Sequence, residues 1–433
     1  MREEVPDPNE LDPVSQMELD SIIRQHQMFT QGQNGGSRAV VQYKNLSYLN
    51  FNAADLSHAD FTGSALLEAD LSGGNYAGTS FFACDMRNAN LKGANFRRAD
   101  FRGAFVAGAD LTGANMEGAD MREGKIMKRG RKGTLEDRKR TAGEGAKTVF
   151  TGAKLTGTNM KGVQAKSADF SDADLSGVNL ENADMQEASF KGANLTDTDF
   201  TDSNLVHADM SAAVTAGAVM DGAEKAGLNL LNIVTERDMG DKLENLGKSL
   251  PELLDEHTLW VATAGRSGRQ LDLGGYDLRD VLDLNRFPLT AIKAVGANFL
   301  SQNLQSAEMQ SAVFDKADFR DCKMQEADLR GSSFKYTHFS RADLTGARLC
   351  PLQFDNEDGS HWFQRVNLSG ASMRYAILRE VDMRDCIMMG VDLSNAVLSG
   401  CDLRRADLTG AVLKGAVMDD VRLDDAIIDL GAL

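Results

Sequence analysis

The chain has 433 residues and a formal net charge of −17, with 64 acidic against 47 basic side chains. That balance argues against a general nucleic-acid binder, which needs a surplus of cations to neutralise phosphate, and no apolar run of about 18 residues is present to span a membrane. Five cysteines without a Cys-x-x-Cys pair or zinc-like spacing point to reduced thiols, and the polar start from Met1 to Pro6 is unlike a secretion signal, so a cytoplasmic location is expected.

Residues 1–40 read as a tail followed by one helix. Ser15-x-x-Glu18 has the form of a capping box, followed by an apolar stripe of Leu19, Ile22 and Ile23 that ends at His26. Phe29 and a Gly-rich stretch from Gly32 to Gly36 come next.

From residue 41 to 220 a different rhythm takes over. Leu, Phe or Met recurs every fifth residue, and the residue two places earlier is small: Ala89-Asn90-Leu91, Ala94-Asn95-Phe96 and Ala99-Asp100-Phe101 are typical. Sixteen central residues from Leu46 to Met121 keep one phase; the slot two before is small in fourteen, and the slot one before is Asp or Asn in thirteen. A period of five matches neither a helix nor a strand, so it belongs to a supersecondary repeat. Large and small residues on one short edge must both point inward to fill a narrow interior, and each unit buries its face only by stacking on the next. Cys84, Cys322, Cys386 and Cys401 occupy the small slot, which makes them core filler; Cys350 does not.

This A-(D/N)-L-x-x pattern resembles the pentapeptide-repeat family. The resemblance implies an all-β solenoid, a right-handed quadrilateral β-helix with four repeats per turn. The family includes proteins that bind type II topoisomerases by imitating duplex DNA, and many members without known activity.

The first solenoid is interrupted at 122–149. Ten Lys and Arg stand there against four Asp and Glu between Arg122 and Lys147. Lys125, Lys128, Arg129, Arg131, Lys132, Arg138, Lys139 and Arg140 make it a candidate docking arm for an acidic partner, set against the plainer reading of a solvated loop. The repeat resumes at Phe150 and fades at Met220. Residues 221–270 read as a helical connector, with Leu228, Leu231 and Val234 spaced along it, and a second capping helix. Ser249-x-x-Glu252, Leu250, Leu253, Leu254 and His257 reproduce the offsets of the first helix, with Trp260 in place of Phe29. Both histidines read as packed residues bonding backbone. The predicted architecture is therefore two modules, each a capping helix followed by a solenoid.

The second solenoid is placed at 271–433, with central residues from Phe299 to Phe354 and from Leu368 to Ile428 around an insertion at 355–365. Trp362 and Phe363 in that insertion are candidate partner contacts, against the alternative that they fold back on the coil. Chemistry is scarce: no phosphate loop, nucleophile elbow or metal cluster stands out, so neither cofactor, metal nor catalytic residue is predicted. The expected function is a non-enzymatic protein-interaction scaffold. A DNA mimic acting on gyrase or another DNA-processing enzyme is the rival, opposed by the basic insertion. The partners expected are proteins, with pairing of two chains through solenoid ends implied by the resemblance; membrane association and direct nucleic-acid binding are not expected.

Overall fold

The computed structural model describes residues 8–124, 127–129, 135–137, 146–282, 284–286, 288–356 and 358–429. Its dominant feature is a parallel ladder that closes every 20 residues: Asn45 bridges Ala65, Asn50 bridges Asp70, Asp55 bridges Asn75 and Asp60 bridges Ser80, and the step recurs from coil to coil. Four bridge columns per closure make each turn four-sided, with one five-residue unit per side. The architecture is a β-solenoid.

One unit shows why these residue types are needed. Around Leu56 all five backbone N–H groups have acceptors. Leu56 donates to the Asn75 carbonyl (2.8 Å) and His58 to that of Ala77 (2.9 Å), both one coil on; Asp60 donates to Ala39 (3.0 Å) one coil back; Ala59 closes the turn on Leu56 (3.1 Å). The remaining N–H, that of Ser57, donates to the Asp55 side chain at 3.0 Å. The Asp or Asn before each central residue is thus the acceptor for the one donor that the ladder leaves over, which a buried backbone requires. The second residue after the centre takes a left-handed conformation, as at His58 (φ 60°), Gly78 (φ 63°) and Arg98 (φ 56°).

The small slot has a polar use as well. At several positions where Ser, Thr or Cys replaces Ala, its hydroxyl or thiol donates to the carbonyl of a central residue one coil earlier: Thr79 to Leu56 (2.7 Å), Cys84 to Phe61 (2.9 Å), Cys322 to Phe299 (2.9 Å) and Cys401 to Leu378 (2.6 Å). All five cysteines are free and buried. Burial raises the slot thiols, that of Cys401 to about 12, so they stay protonated.

The chain divides into two compact units, Met1–Glu236 and Arg237–Leu433. In the first, strand β1 (Asp12–Pro13) leads into helix α1 (Gln16–Thr30) and pairs in parallel with β2 (Lys44–Asn45). The Ser15–Glu18 capping box is formed, and Leu19 and Ile23 of α1 join the core. That core is a column of stacked rings: Phe61, Phe81 and Phe101 lie one above another with centroids 5.6 and 5.3 Å apart. Phe150, Phe170 and Phe190 repeat the arrangement at 5.1 and 5.4 Å. Within the insertion, β3 (Met127–Arg129) and β4 (Leu135–Asp137) pair antiparallel.

In the second unit, β5 (Asp241–Lys242) precedes helix α2 (Leu250–Ala262) and pairs in parallel with β6 (Tyr276–Asp277). The Ser249–Glu252 box is formed, and Leu254 joins the second core. The ladder runs from the Asp272–Lys293 bridge onward. It is interrupted by an antiparallel hairpin, β7 (Leu352–Asp355) and β8 (His361–Gln364), and ends on β9 (Asp407–Leu408) against β10 (Ile427–Ile428).

Three expectations need correction. The helical connector predicted from residue 221 begins later, because the coil continues through the bridges Asn204–Glu224, Asp209–Asn229 and Val214–Val234. Two short 3-10 turns, Glu236–Asp238 and Leu243–Leu246, follow it. The apolar spacing of Leu228, Leu231 and Val234 imitates a helix, but neighbouring-coil hydrogen bonds satisfy this backbone, and Leu231 is exposed. Phe354 is not a central residue: the ladder passes from Leu349, ahead of Pro351, to Leu368, and Phe354 belongs to β7. The insertions also have different limits. Ala146 already pairs with Gly124 and Val149 with Phe105, while the second insertion opens at Leu352, not at 355.

Candidate functional site

The β7–β8 hairpin is the most distinct structure leaving the coil. Its register pairs Leu352 with Gln364, Gln353 with Phe363, Phe354 with Trp362 and Asp355 with His361. Alternation along the strands gives the hairpin two faces. On one, Trp362 stacks on Phe354 with ring centroids 4.4 Å apart. On the other, Phe363 is 61% exposed. The base is fixed to the coil at Gly331: Gln364 Nε2 donates to the Gly331 carbonyl at 2.5 Å, and a Cβ on Gly331 would stand 2.9 Å from that of Leu352. Near the tip, His361 Nδ1 lies 2.6 Å from Asp355. Of the two predicted contact aromatics, Trp362 is therefore half engaged within the hairpin and Phe363 is presented outward.

Of the cationic candidates, Lys128 and Arg129 lie on β3; Lys125, Arg131, Lys132, Arg138, Lys139 and Arg140 lie outside the described residues.

The surface charge is organised in a way the sequence reading missed. Eight Asp-x-Arg units among the described residues form bidentate clamps, in which the Arg fork closes on the Asp that also caps its own backbone N–H. Arg87 grips Asp85 at 2.8 and 2.7 Å, and Arg404 grips Asp402 at 2.8 and 2.6 Å. The others are Arg102–Asp100, Arg122–Asp120, Arg279–Asp277, Arg320–Asp318, Arg330–Asp328 and Arg384–Asp382. The Arg404 fork holds the Asp402 carboxyl below the usual carboxylate range. A spacing of two between Asp and Arg across each central residue was the available signal. Arg341 and Asp321 form a further bidentate pair, both side chains buried, at 2.6 and 2.7 Å.

The two helix histidines share one geometry. His26 Nδ1 accepts from the Ala39 backbone N–H at 3.0 Å, and its Nε2 faces the Ser57 carbonyl at 3.0 Å. His257 Nδ1 accepts from Leu271 at 3.1 Å, and its Nε2 faces the Thr290 carbonyl at 2.8 Å. Both rings are fully buried. An N–H donor on one side and a carbonyl on the other require the neutral Nε2–H tautomer. Burial lowers the pKa of both rings. Among the described residues no group of His, Cys, Asp and Glu is arranged to hold a metal ion, and no helix is long and apolar enough to cross a membrane.

The five-residue ladder agrees with a family model, Pentapeptide repeats, in eight copies at residues 45–75, 79–118, 146–182, 173–211, 289–321, 312–349, 362–390 and 386–425, more than half of the chain. The chain belongs to the pentapeptide-repeat family. Solved pentapeptide-repeat proteins resemble it. HetL, a protein involved in heterocyst differentiation regulation from Nostoc sp. strain PCC 7120, is 17% identical over 93% of this chain and 94% of its own, with a TM-score of 0.17. Rfr23 from the cyanobacterium Cyanothece 51142 is 23% identical over 30% of this chain and 88% of its own, at 0.22. Full-length QnrB1, a plasmid-mediated fluoroquinolone resistance protein, is 19% identical over 46% of this chain and 92% of its own, at 0.25. At these values the likenesses carry no argument about function. No curated protein matches the chain closely enough to count as a relative.

Proposed function

We propose that this pentapeptide-repeat protein is a non-enzymatic interaction scaffold whose principal docking element is the β7–β8 hairpin. The observation that carries this reading is the outward presentation of Phe363, with Trp362 half-exposed on the opposite face, on a hairpin anchored to the coil at Gly331. Rigid aromatic side chains give large contact area at low entropic cost, and they dominate protein contacts. The partner is a protein with an apolar recess. The basic insertion at 122–149 serves as a second, cationic contact for acidic groups on a partner. Helices α1 and α2 cover the first coil of each module, which shields strand edges that would otherwise recruit other chains.

The test is partner recovery with Phe363→Asp and Trp362→Ala in the full chain. Loss of a partner that the unchanged chain retains, with melting behaviour unaltered, is the expected result. Equal recovery ends the hairpin reading, and equal recovery after removal of 122–149 ends the arm.

The rival, a DNA mimic binding gyrase, needs carboxylates free to meet a cationic groove. The eight Asp-x-Arg clamps oppose it by neutralising regularly spaced carboxylates in place. A supercoiling assay with purified gyrase decides: absence of both inhibition and protection removes it.

A further inference from the structure

We propose that the outer edge of β8 is a strand-addition site, where an extended segment of another protein, bearing lysine or arginine between β-branched residues, pairs main chain to main chain. The inference rests on the hairpin reading above and specifies how the partner is held. In an antiparallel ladder, residue pairs that exchange both backbone hydrogen bonds alternate with pairs whose N–H and carbonyl groups turn outward. The Asn356 N–H donates to the Ser360 carbonyl at 2.8 Å across the loop, so the bonded pairs down the register are Phe354–Trp362 and Leu352–Gln364. His361 and Phe363 on β8, like Gln353 and Asp355 on β7, therefore turn their N–H and carbonyl groups away from the hairpin. Outside the hairpin, no described residue bonds the backbone groups of His361 or Phe363. The coil is the reverse case: the unit around Leu56 leaves no N–H without an acceptor.

The β8 edge lacks the features that commonly block pairing. Edge strands of folded proteins are guarded by lysine, proline or a bulge. β8 reads His361-Trp362-Phe363-Gln364, in continuous register with β7, and its first three side chains are exposed. An added strand lays alternate side chains against Phe363 on one face and against Trp362 on the other, so two aromatics that point in opposite directions serve one partner. The β7 edge is poorer: Phe354 is half-buried, and Pro351 stands immediately before the strand.

Charge selects the partner. The stretch from Leu349 to Gln364 contains no Lys or Arg, whereas Asp355 and Asp358 stand close to β8 in the same hairpin. Neither carboxylate is closed by an arginine fork. Asp355 Oδ1 accepts from Gln353 Nε2 at 2.9 Å and lies 2.6 Å from His361 Nδ1; Asp358 Oδ1 accepts from the Ser360 N–H at 2.9 Å and its hydroxyl at 2.5 Å. Arg365, the next cation along the chain, is turned onto the coil, its Nε donating to the Asp385 carbonyl at 2.5 Å. The hairpin thus keeps the negative charge that the Asp-x-Arg clamps cancel on the coil, and it keeps that charge beside an open strand edge. A cationic strand answers both.

The full chain is titrated with a short peptide of alternating lysine and valine, following the backbone amide resonances of His361 and Phe363. Saturable shifts with a Kd of about 0.5 mM are expected. An analogue with ester linkages in place of its amides keeps the side chains and loses the N–H donors; it should bind at least about tenfold more weakly, as should the peptide with glutamate in place of lysine. His361→Pro removes an outward N–H without breaking a hairpin bond and should weaken the peptide about tenfold, while Gln353→Pro, the same change on the β7 edge, should leave it within about twofold. The ester analogue tests the idea without altering the protein, whatever the proline variants do to the hairpin. Ester or glutamate analogues binding as tightly as the parent, or no saturable shift up to about 10 mM, overturn the assignment. Shifts of the same amides on concentrating the chain alone overturn it too, by giving the edge to a second copy. If Phe363→Asp loses a natural partner while the ester analogue binds as tightly as the parent, the hairpin docks through side chains: the proposed function stands and strand addition falls.

Discussion

Replacing His26 by Leu keeps bulk and removes two of the hydrogen bonds that tie helix α1 to the coil; those of Gln16 to Asn50 remain. The Ala39 N–H and the Ser57 carbonyl, each 3.0 Å from the ring, would lose their imidazole partner. Ala39 is only 3% exposed, so water cannot replace the acceptor without opening the site. An orphaned buried polar group costs about 1–3 kcal/mol; Ala39 is buried but Ser57 only half-buried, so its carbonyl can regain water and the pair is worth about 2–4 kcal/mol. The assay is amide hydrogen exchange at Ala39, which should accelerate by about 30-fold to 1,000-fold through local opening. Acid should mimic the substitution. Burial depresses the His26 pKa from its usual 6.5, with Asp55 drawing it up and Arg38 and His58 pushing it down among the charged neighbours. The folded state thus binds fewer protons than the unfolded one between the folded pKa and 6.5. The contribution of His26 is complete above pH 6.5 and is lost as the pH falls through the folded value, because a protonated Nδ1 cannot accept from Ala39. His257 should repeat the behaviour at Leu271. Exchange at Ala39 unchanged by His26→Leu, or an acid response undiminished in that variant, would refute this reasoning.

Three other outcomes are expected. Tyr76 is buried with its hydroxyl unpartnered among the described residues, and Gly74 makes room for it, since a Cβ there would meet the Tyr76 Cε2 at 2.5 Å and hydroxyl at 2.7 Å. Tyr76→Phe should stabilise by about 1 kcal/mol in denaturant unfolding and Gly74→Ala should destabilise by about 1–3 kcal/mol. Phe96→Asp, at a ring stacked on Tyr76 at 5.2 Å and edge-on to Phe101 at 5.4 Å, should cost at least about 4 kcal/mol. Lys92→Asp removes only a surface pair with Asp110 and should cost about 1 kcal/mol or less by the same measurement. A thiol reagent should leave Cys84, Cys322, Cys386 and Cys401 unmodified in the native chain and modify all of them in denaturant; rapid native reaction would contradict their burial.

The inward slots were legible because a period of five admits few structures, and because Ala and Leu or Phe two apart must fill one interior. Where the pattern weakens, legibility fails for physical reasons. Lys225 occupies a central slot, its Nζ reaching the Met220 carbonyl at 3.3 Å, and this interrupts the apolar count although the ladder continues. Phe354 keeps the five-residue phase by coincidence, and only the strand pairing with Trp362 shows that it has left the coil. The role of Asp and Asn is not visible in the sequence, because the acceptor function appears only once the backbone N–H groups are counted.

That 20-residue closure restricts how such a chain can grow. Loss or gain of a whole turn returns every column to itself, ring upon ring and carboxyl upon amide. Loss of five residues would rotate all that follows by one side, setting each Phe column over a different neighbour. Length in this lineage should therefore vary in steps of a full circuit, with irregular additions confined to corners, where chain can leave and re-enter without shifting the count.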